Sequence, residues 1–351
     1  MLHSSYLIQQ ALNALRADGL LEVPKIVGLE PLDGGSTGAS LFRFYYTLTD
    51  GSSPTFIIKK VGRLEYNLHR LLCREVPGTV PRFIGAWPTY QESTARSNGD
   101  LFLLMEDVTC DELPSVTRKA TIGDDGLEIW TSVASAATFR GALRLLATVH
   151  THFLNKTLEL RRRGVQRTQI DPVTLSESAR RTHAALDLYA DLLELPIDVL
   201  AIREVLRLGA LLTEQLTLLQ TARTWTLVHG DFHLGNIAVG REGGVRLLDW
   251  GSATLQVLVW DLVLCGEPEV EYYLGVLEAC RCHFKSETLF YSQLRAAVIC
   301  RTYLFLEMAL NILVNRGSTR VAAALPLCVE RLIEAASSPA FRGGRGVRFV
   351  T

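Results

Sequence analysis

The first twenty residues, MLHSSYLIQQALNALRADGL, mix polar side chains into apolar ones at helical spacing and predict an amphipathic helix. The pattern then changes to β-rich runs. Ile26 to Leu32 and Ala39 to Leu48 predict two strands, and Asp33-Gly34-Gly35-Ser36-Thr37-Gly38 between them supplies turn chemistry, so the pair reads as a glycine-bearing hairpin. After a turn at Asp50-Gly51-Ser52-Ser53-Pro54, the run Thr55 to Val61 predicts a third strand, ending in Lys59, Lys60 and Val61. Leu64, Leu68, Leu71 and Leu72 give one apolar side to a predicted helix over Leu64 to Cys73, with Glu65 in its first turn and Arg70 and Arg74 outside. Arg82 to Trp87 and Leu101 to Val108 predict two more strands, separated by a polar loop at Ser93 to Asp100. From about Trp130 the chain turns Leu- and Ala-rich at helical spacing, through Phe139 to Leu154 and again through Glu204 to Gln220. The expected architecture is α/β of the α+β kind and bilobal. An antiparallel sheet lobe with one internal helix occupies residues 1–108, a larger, mainly helical lobe occupies 109–351, and a short hinge near Glu106 to Thr109 joins them.

Composition removes some classes of function. With 48% hydrophobic and 21% charged residues in a chain of 351, an ordered protein of two lobes is expected rather than a disordered one. Lys and Arg number 36 against 37 Asp and Glu, so no overall field recruits nucleic acid or acidic lipid, and neither is expected as a partner. No window approaches eighteen consecutive apolar residues, and the N-terminus lacks a basic region followed by an apolar core. A soluble, cytoplasmic protein is expected. The seven cysteines, an odd number without a CxxC pair, fit a reducing compartment. Cys280, Cys282 and His283 lie too close together to form a tetrahedral set on one helix face, and Arg161-Arg162-Arg163 reads as a solvated surface. Nothing in the composition bears on oligomeric state.

The chemistry concentrates in Leu227-Val228-His229-Gly230-Asp231-Phe232-His233-Leu234-Gly235-Asn236-Ile237-Ala238-Val239, followed by Val245-Arg246-Leu247-Leu248-Asp249-Trp250-Gly251. The apolar runs Ile237 to Val239 and Val245 to Leu248 predict a hairpin that holds Asn236 near Asp249 at its open end. Magnesium takes hard oxygen ligands while keeping several waters, and an Asp carboxylate with an Asn carbonyl supplies two of them. Asp231, on the same loop, is placed to orient an acceptor hydroxyl and take its proton. Such a set suits phosphoryl transfer, which needs positioning and charge neutralisation more than covalent chemistry.

HGDFHLGNI followed by LLDWG resembles the catalytic and metal loops of aminoglycoside phosphotransferases, choline kinases and related small-molecule kinases. It is also similar to the HRDxxxxN and DFG elements of protein kinases, but with His-Gly-Asp for His-Arg-Asp and Trp250 for Phe. The resemblance covers about Pro31 to Cys265 and implies a protein-kinase-like fold and an ATP- and magnesium-dependent enzyme that phosphorylates a hydroxyl group of an aminoglycoside-, choline- or sugar-like acceptor. It implies Asp231 as the catalytic base, Asn236 and Asp249 as magnesium ligands, and Asp261 of Trp260-Asp261-Leu262 as a support for the catalytic loop. Phe56-Ile57-Ile58-Lys59 resembles the Val-Ala-Ile-Lys strand, which implies that Lys59 grips phosphates and pairs with Glu65, with Lys60 as rival on the opposite strand face. Gly34, Gly35, Ser36 and Gly38 then bring main-chain N–H groups to the phosphates, and the main chain around Met105, Glu106 and Asp107 reads the adenine edge.

The sequence departs from the family pattern in three places: Leu234 stands where Pro is frequent, Glu65 follows the lysine strand unusually soon, and no Ala-Pro-Glu segment follows Asp249. The last argues against a protein substrate. Two other readings stay open at this stage. His229, Asp231 and His233 form an HxDxH string that a metal-dependent hydrolase could use, although the kinase reading makes both histidines structural. A nucleotide-binding pseudokinase would also have this fold, against which stands the presence of Asp231, Asn236, Asp249 and a strand lysine. A cationic acceptor would call for acidic or aromatic groups, for which Glu267, Glu269, Glu271, Tyr272 and Tyr273 are the candidates.

Overall fold

The computed structural model describes residues 2–17, 19, 26–32, 41–47, 54–87, 101–108, 120–122, 128–130, 136–167, 177–182, 184, 212–222, 224–240, 244–282, 286–316, 329–338 and 341. By contacts the chain divides into two units: Met1–Ser115 with Gly235–Ala253, and Val116–Leu234 with Thr254–Val350. The hairpin bearing Asn236 and Asp249 therefore belongs with the N-terminal sheet although it follows the loop of Asp231 in sequence.

In the first unit, strands β1 (Ile26–Leu32), β2 (Leu41–Thr47), β3 (Thr55–Val61), β4 (Phe83–Trp87) and β5 (Leu101–Glu106) form one antiparallel sheet in the order β1-β2-β3-β5-β4. Period-two alternation sorts its side chains. Phe44, Tyr46, Phe56, Ile58, Ile84, Trp87, Phe102 and Leu104 pack with Leu7, Ala11 and Leu15 of helix α1 (Leu2–Ala17). Ile57, Val61, Leu101, Leu103 and Met105 face the other way and pack with Tyr66 of helix α2 (Arg63–Glu75). Burying each such side chain contributes about 1.5–3 kcal/mol, against about 0–1 kcal/mol for an exposed ion pair, so these two apolar faces hold the sheet. The close approach of α1 requires Gly85 on β4, where a Cβ would lie 2.6 Å from the Cβ of Ala14.

α2 begins directly after Gly62, with Glu65 in its first turn and Arg74 in its last, both favourable to the helix dipole. Its buried side holds Tyr66, Leu68, His69, Leu71 and Leu72. Strands β9 (Ile237–Val239) and β10 (Val245–Leu247) complete this unit as the expected hairpin, tied back by Leu247 N–H donating to Thr79 O at 2.8 Å.

The second unit contains two short strands, β6 (Ala120–Ile122) and β7 (Glu128–Trp130), so the helical pattern expected from about Trp130 begins later, with α3 (Ala136–Phe153). Then come α4 (Thr157–Arg162), α5 (Leu212–Gln220), strand β8 (Trp225–Val228) paired antiparallel with β11 (Thr254–Val257), α6 (Glu267–Ala279) and α7 (Glu287–Arg316). Arg161 and Arg162 are exposed and Arg163 Nη2 bonds Glu159 Oε1 at 2.8 Å, as a solvated helix end should. α7 buries Phe290, Leu294, Val298, Ile299, Cys300, Tyr303, Leu306 and Leu310, residues spread around its circumference, which makes it a core helix. Among the described residues no helix is long and apolar enough to cross a membrane.

Candidate active site

The first group of polar residues grows out of β3. Because Ile57 and Val61 face α2, so does Lys59, and Lys60 is exposed. Gly62 ends the strand and α2 starts at once, so Glu65, six residues after Lys59, is brought beside it. Lys59 Nζ donates to Glu65 Oε1 at 2.5 Å and to Asp249 Oδ1 at 2.9 Å. The short interval between lysine and glutamate is thus geometrically sufficient. Burial works against the ammonium, yet Glu65 and Asp249 outweigh it and hold the Lys59 pKa above its ordinary value.

Asp249 follows β10 with φ 55° and ψ 67°, the left-handed region, at a local cost of about 1–2 kcal/mol. Trp250, next in the chain, is buried and its Nε1–H reaches Leu247 O at 3.4 Å, so the turn is held from its core side. Leu248 N–H donates to Asn236 O at 2.8 Å, placing Asn236 across the hairpin from the residue before Asp249. The Asp249 side chain is 45% exposed while those of Lys59 and Glu65 are 12% and 13%, so of the three it is the one open to an incoming cation. A carboxylate with a neighbouring Asn is a small, hard oxygen set that fits magnesium rather than zinc.

The predicted hinge residues sit on and just beyond β5. Met105 is buried between Ile57 of β3 and Phe83 of β4, on the same sheet face as Lys59. The Asp107 carboxylate is fully buried and accepts from Arg43 Nε at 2.9 Å. Gly34, Gly35, Ser36 and Gly38 lie outside the described residues, as does His283.

The second group is the loop after β8. Gly230 has φ 80°, a conformation suited to glycine, and turns the chain into Asp231. The wholly buried Asp261 accepts the His229 N–H at 2.6 Å on Oδ2 and the Gly230 N–H at 2.9 Å on Oδ1. His150, from α3, lies with Nε2 3.1 Å from Asp261 Oδ2 and Nδ1 2.5 Å from the hydroxyl of Tyr273 on α6, and both partners are buried. A neutral imidazole satisfies this chain when Nε2–H donates to the carboxylate and Nδ1 accepts from tyrosine. Burial alone would raise the Asp261 pKa, but His150, His229 and Arg301 reverse that and bring it below the ordinary value.

Asp231 is depressed in the same sense: burial raises its pKa, while His233, Arg301 and His229 lower it by more. His233 Nε2 lies 3.4 Å from Asp231 Oδ2, and Asp231 N–H donates to His229 Nδ1 at 3.3 Å. His229 is therefore engaged within its own loop, and among the described residues no three His, Cys, Asp or Glu side chains are grouped to hold a metal, so the HxDxH hydrolase reading finds no ligand set there. Neither tyrosine forms a cage for a cation. Tyr273 is buried on His150, while Arg140 stands 5.4 Å from the Tyr272 ring centroid and Arg144 Nη2 donates to its hydroxyl at 3.1 Å. His150 and Arg301 escaped the sequence reading because each comes from a helix remote from the loop in sequence and no local motif marks it, and Tyr273, expected as a candidate for a cationic acceptor, instead meets His150.

Residues 120–276 match the model of a family described as the phosphotransferase enzyme family, which is the family the HGDFHLGNI and LLDWG segments resemble. No curated protein matches the chain. Among solved structures, a spectinomycin phosphotransferase in complex with ADP and spectinomycin is similar at 15% identity and a TM-score of 0.57, over 94% of this chain and 98% of that one. A GDP complex of an aminoglycoside 2′-phosphotransferase gives 15% and 0.53, over 92% and 97%. An amicoumacin kinase with AMP-PNP and Ca2+ gives 14% and 0.51, over 92% of each chain. At such identities the likeness carries the fold, which is mixed α/β and protein-kinase-like.

Proposed function

We propose that this chain, whose residues 120–276 match a phosphotransferase family model, is an ATP-dependent kinase that moves the γ-phosphoryl group onto a hydroxyl of a small molecule. The observation that carries the reading is Lys59 held between Glu65 and Asp249, a strand lysine, a helix carboxylate and a loop carboxylate brought together from three separate elements. In this reading residues 1–108 are the nucleotide-binding lobe and 109–351 the catalytic and acceptor-binding lobe of a cytoplasmic enzyme. Lys59, kept in place by Glu65, holds the α- and β-phosphates, with the main chain of Gly34, Gly35, Ser36 and Gly38 around them and that of Met105 and Asp107 at the adenine. Asn236 and Asp249 hold magnesium, whose charge offsets that of the phosphates when it is bound.

Asp231 receives the acceptor hydroxyl. Its lowered pKa keeps it ionised at neutral pH, so it acts first as a hydrogen-bond acceptor that orients the hydroxyl. It takes the proton late, as bond making to phosphorus acidifies the oxygen, which suits a loose transition state. His229 and Asp261 fix the loop main chain that carries it. Tyr272 and Tyr273 being occupied by protein groups, selection of the acceptor falls to other residues of the helical lobe. The testing experiment is ADP release from Mg·ATP across a panel of aminoglycosides, choline-like amines, sugars and nucleosides. An acceptor-dependent rate that Asp231→Asn suppresses while nucleotide binding persists, and that Asp249→Ala suppresses together with magnesium-dependent binding, supports it. Absence of magnesium-dependent ATP binding in the wild type refutes it.

A further inference from the structure

α7 reaches the loop of Asp231 through Arg301. Arg301 Nη2 donates to Gly230 O at 2.8 Å and Nη1 donates to Trp260 O at 2.9 Å, and the same Nη2 lies 3.9 Å from Asp231 Oδ1. Gly230 is thus held at both main-chain polar groups, its N–H by Asp261 and its carbonyl by Arg301, at the point where φ is 80° and the chain turns into Asp231. Trp260 precedes Asp261, so a single guanidinium also ties together the two segments whose bonds define the loop. A planar fork holds two carbonyls at a fixed spacing, which an ammonium on a flexible stem does not.

We propose that Arg301 is the positioning cation of the phosphoryl-transfer loop, clamping the Gly230 carbonyl to that of Trp260 and presenting its charge to Asp231. This rests on the kinase reading given above. Fixing the Gly230 peptide presets the direction in which Asp231 leaves the main chain, and misplacing a catalytic group by about 1 Å can cost roughly 100-fold in rate. Among the groups that favour the ionised form of Asp231 are His233, Arg301 and His229, while Arg301 itself feels Asp261, Asp231 and Cys265. Burial weakens the guanidinium's preference for its charge, and the two carboxylates restore it in part. Removing Arg301 therefore takes away a guanidinium whose charge favours the ionised form of Asp231.

The test uses the full chain with Arg301→Met, Arg301→Lys and, as control, Arg295→Met. Arg295 lies on the same helix and also spans two carbonyls, but those of Ala335 and Ala336 rather than those of Gly230 and Trp260. Hydrogen exchange at the amides of residues 229–231 and the kcat, KM and pH profile of ADP release are read together. Arg301→Met should speed exchange at those amides at least tenfold. It should also lower kcat by roughly 10- to 100-fold with KM for Mg·ATP within about twofold, and move the acidic limb of kcat to higher pH. Arg301→Lys should restore the acidic limb without restoring the exchange protection. Unchanged exchange in Arg301→Met, or equal changes in Arg295→Met, overturns the proposal. A wild type that neither binds Mg·ATP nor depends on Asp231 would sink the kinase reading instead, and the exchange data would still decide whether Arg301 clamps the loop.

Discussion

Replacing Asp261 by Asn changes one atom and one charge at a fully buried position, which makes the loss calculable. The carboxylate accepts the His229 N–H, the Gly230 N–H and His150 Nε2. An amide can keep only one acceptor oxygen, so one of the two main-chain donors ends facing an NH2 group, whereas His150 can change tautomer and accept. Losing one charge-assisted bond costs about 1.5–3 kcal/mol and weakening the survivor adds about 1 kcal/mol, which gives about 2.5–4 kcal/mol in total. For a unit of this size each kcal/mol moves Tm by about 2–4 °C, so Asp261→Asn should melt roughly 5–15 °C below the wild type near pH 7. The pH dependence has a definite sign. The folded-state pKa of Asp261 lies below its ordinary 3.8, so its stabilisation is complete above that value and is lost as the pH falls through the folded pKa. The Tm difference between the two proteins should therefore stay constant from about pH 8 to pH 5 and narrow only in more acidic solution. Scanning calorimetry across that range decides the matter: a Tm within 2 °C of wild type at pH 7, or a gap that closes near pH 6, would refute the reasoning and point to a different titrating group.

Lys59→Met should weaken Mg·nucleotide binding by about 10- to 100-fold, the worth of one to two charge-assisted bonds, while Lys60→Met stays within about twofold; titration calorimetry with AMP-PNP checks both, and the reverse order would hand the role to Lys60. Gly85→Ala should destabilise the first unit by about 1–3 kcal/mol because its Cβ meets that of Ala14, and adding Ala14→Gly should recover part of that loss relative to Ala14→Gly alone, measured as a denaturant-unfolding double-mutant cycle. Gly230→Ala places a Cβ at φ 80° for about 1–2 kcal/mol and should lower kcat of ADP release more than KM for Mg·ATP; unchanged kcat would show that the loop tolerates a different main-chain path.

Local periodicity determined much of the N-terminal unit. The strands Ile26–Leu32 and Thr55–Val61 coincide with their expected spans, because alternation and turn residues are properties of short segments. The hairpin at 237–247 was equally legible, and with it the pairing that sets Asn236 near Asp249. Alternation also put Lys59 and Lys60 on opposite faces, but only the packing of α2 against the Ile57 and Val61 face decided which lysine meets a carboxylate. The left-handed turn at Asp249 depends on Trp250 finding its buried seat, and the loop before Asp231 depends on Asp261, His150, Tyr273 and Arg301 converging from four distant segments. A carboxylate with three donors, or a guanidinium across two carbonyls, leaves no periodic trace in the chain, since each bond is made between residues brought together only when the helices pack. Sequence alone thus determined the candidate polar groups and their strand and loop settings. Tertiary structure decided what holds them in place, because burial and long-range hydrogen bonding are settled by the whole core rather than by neighbours in the chain.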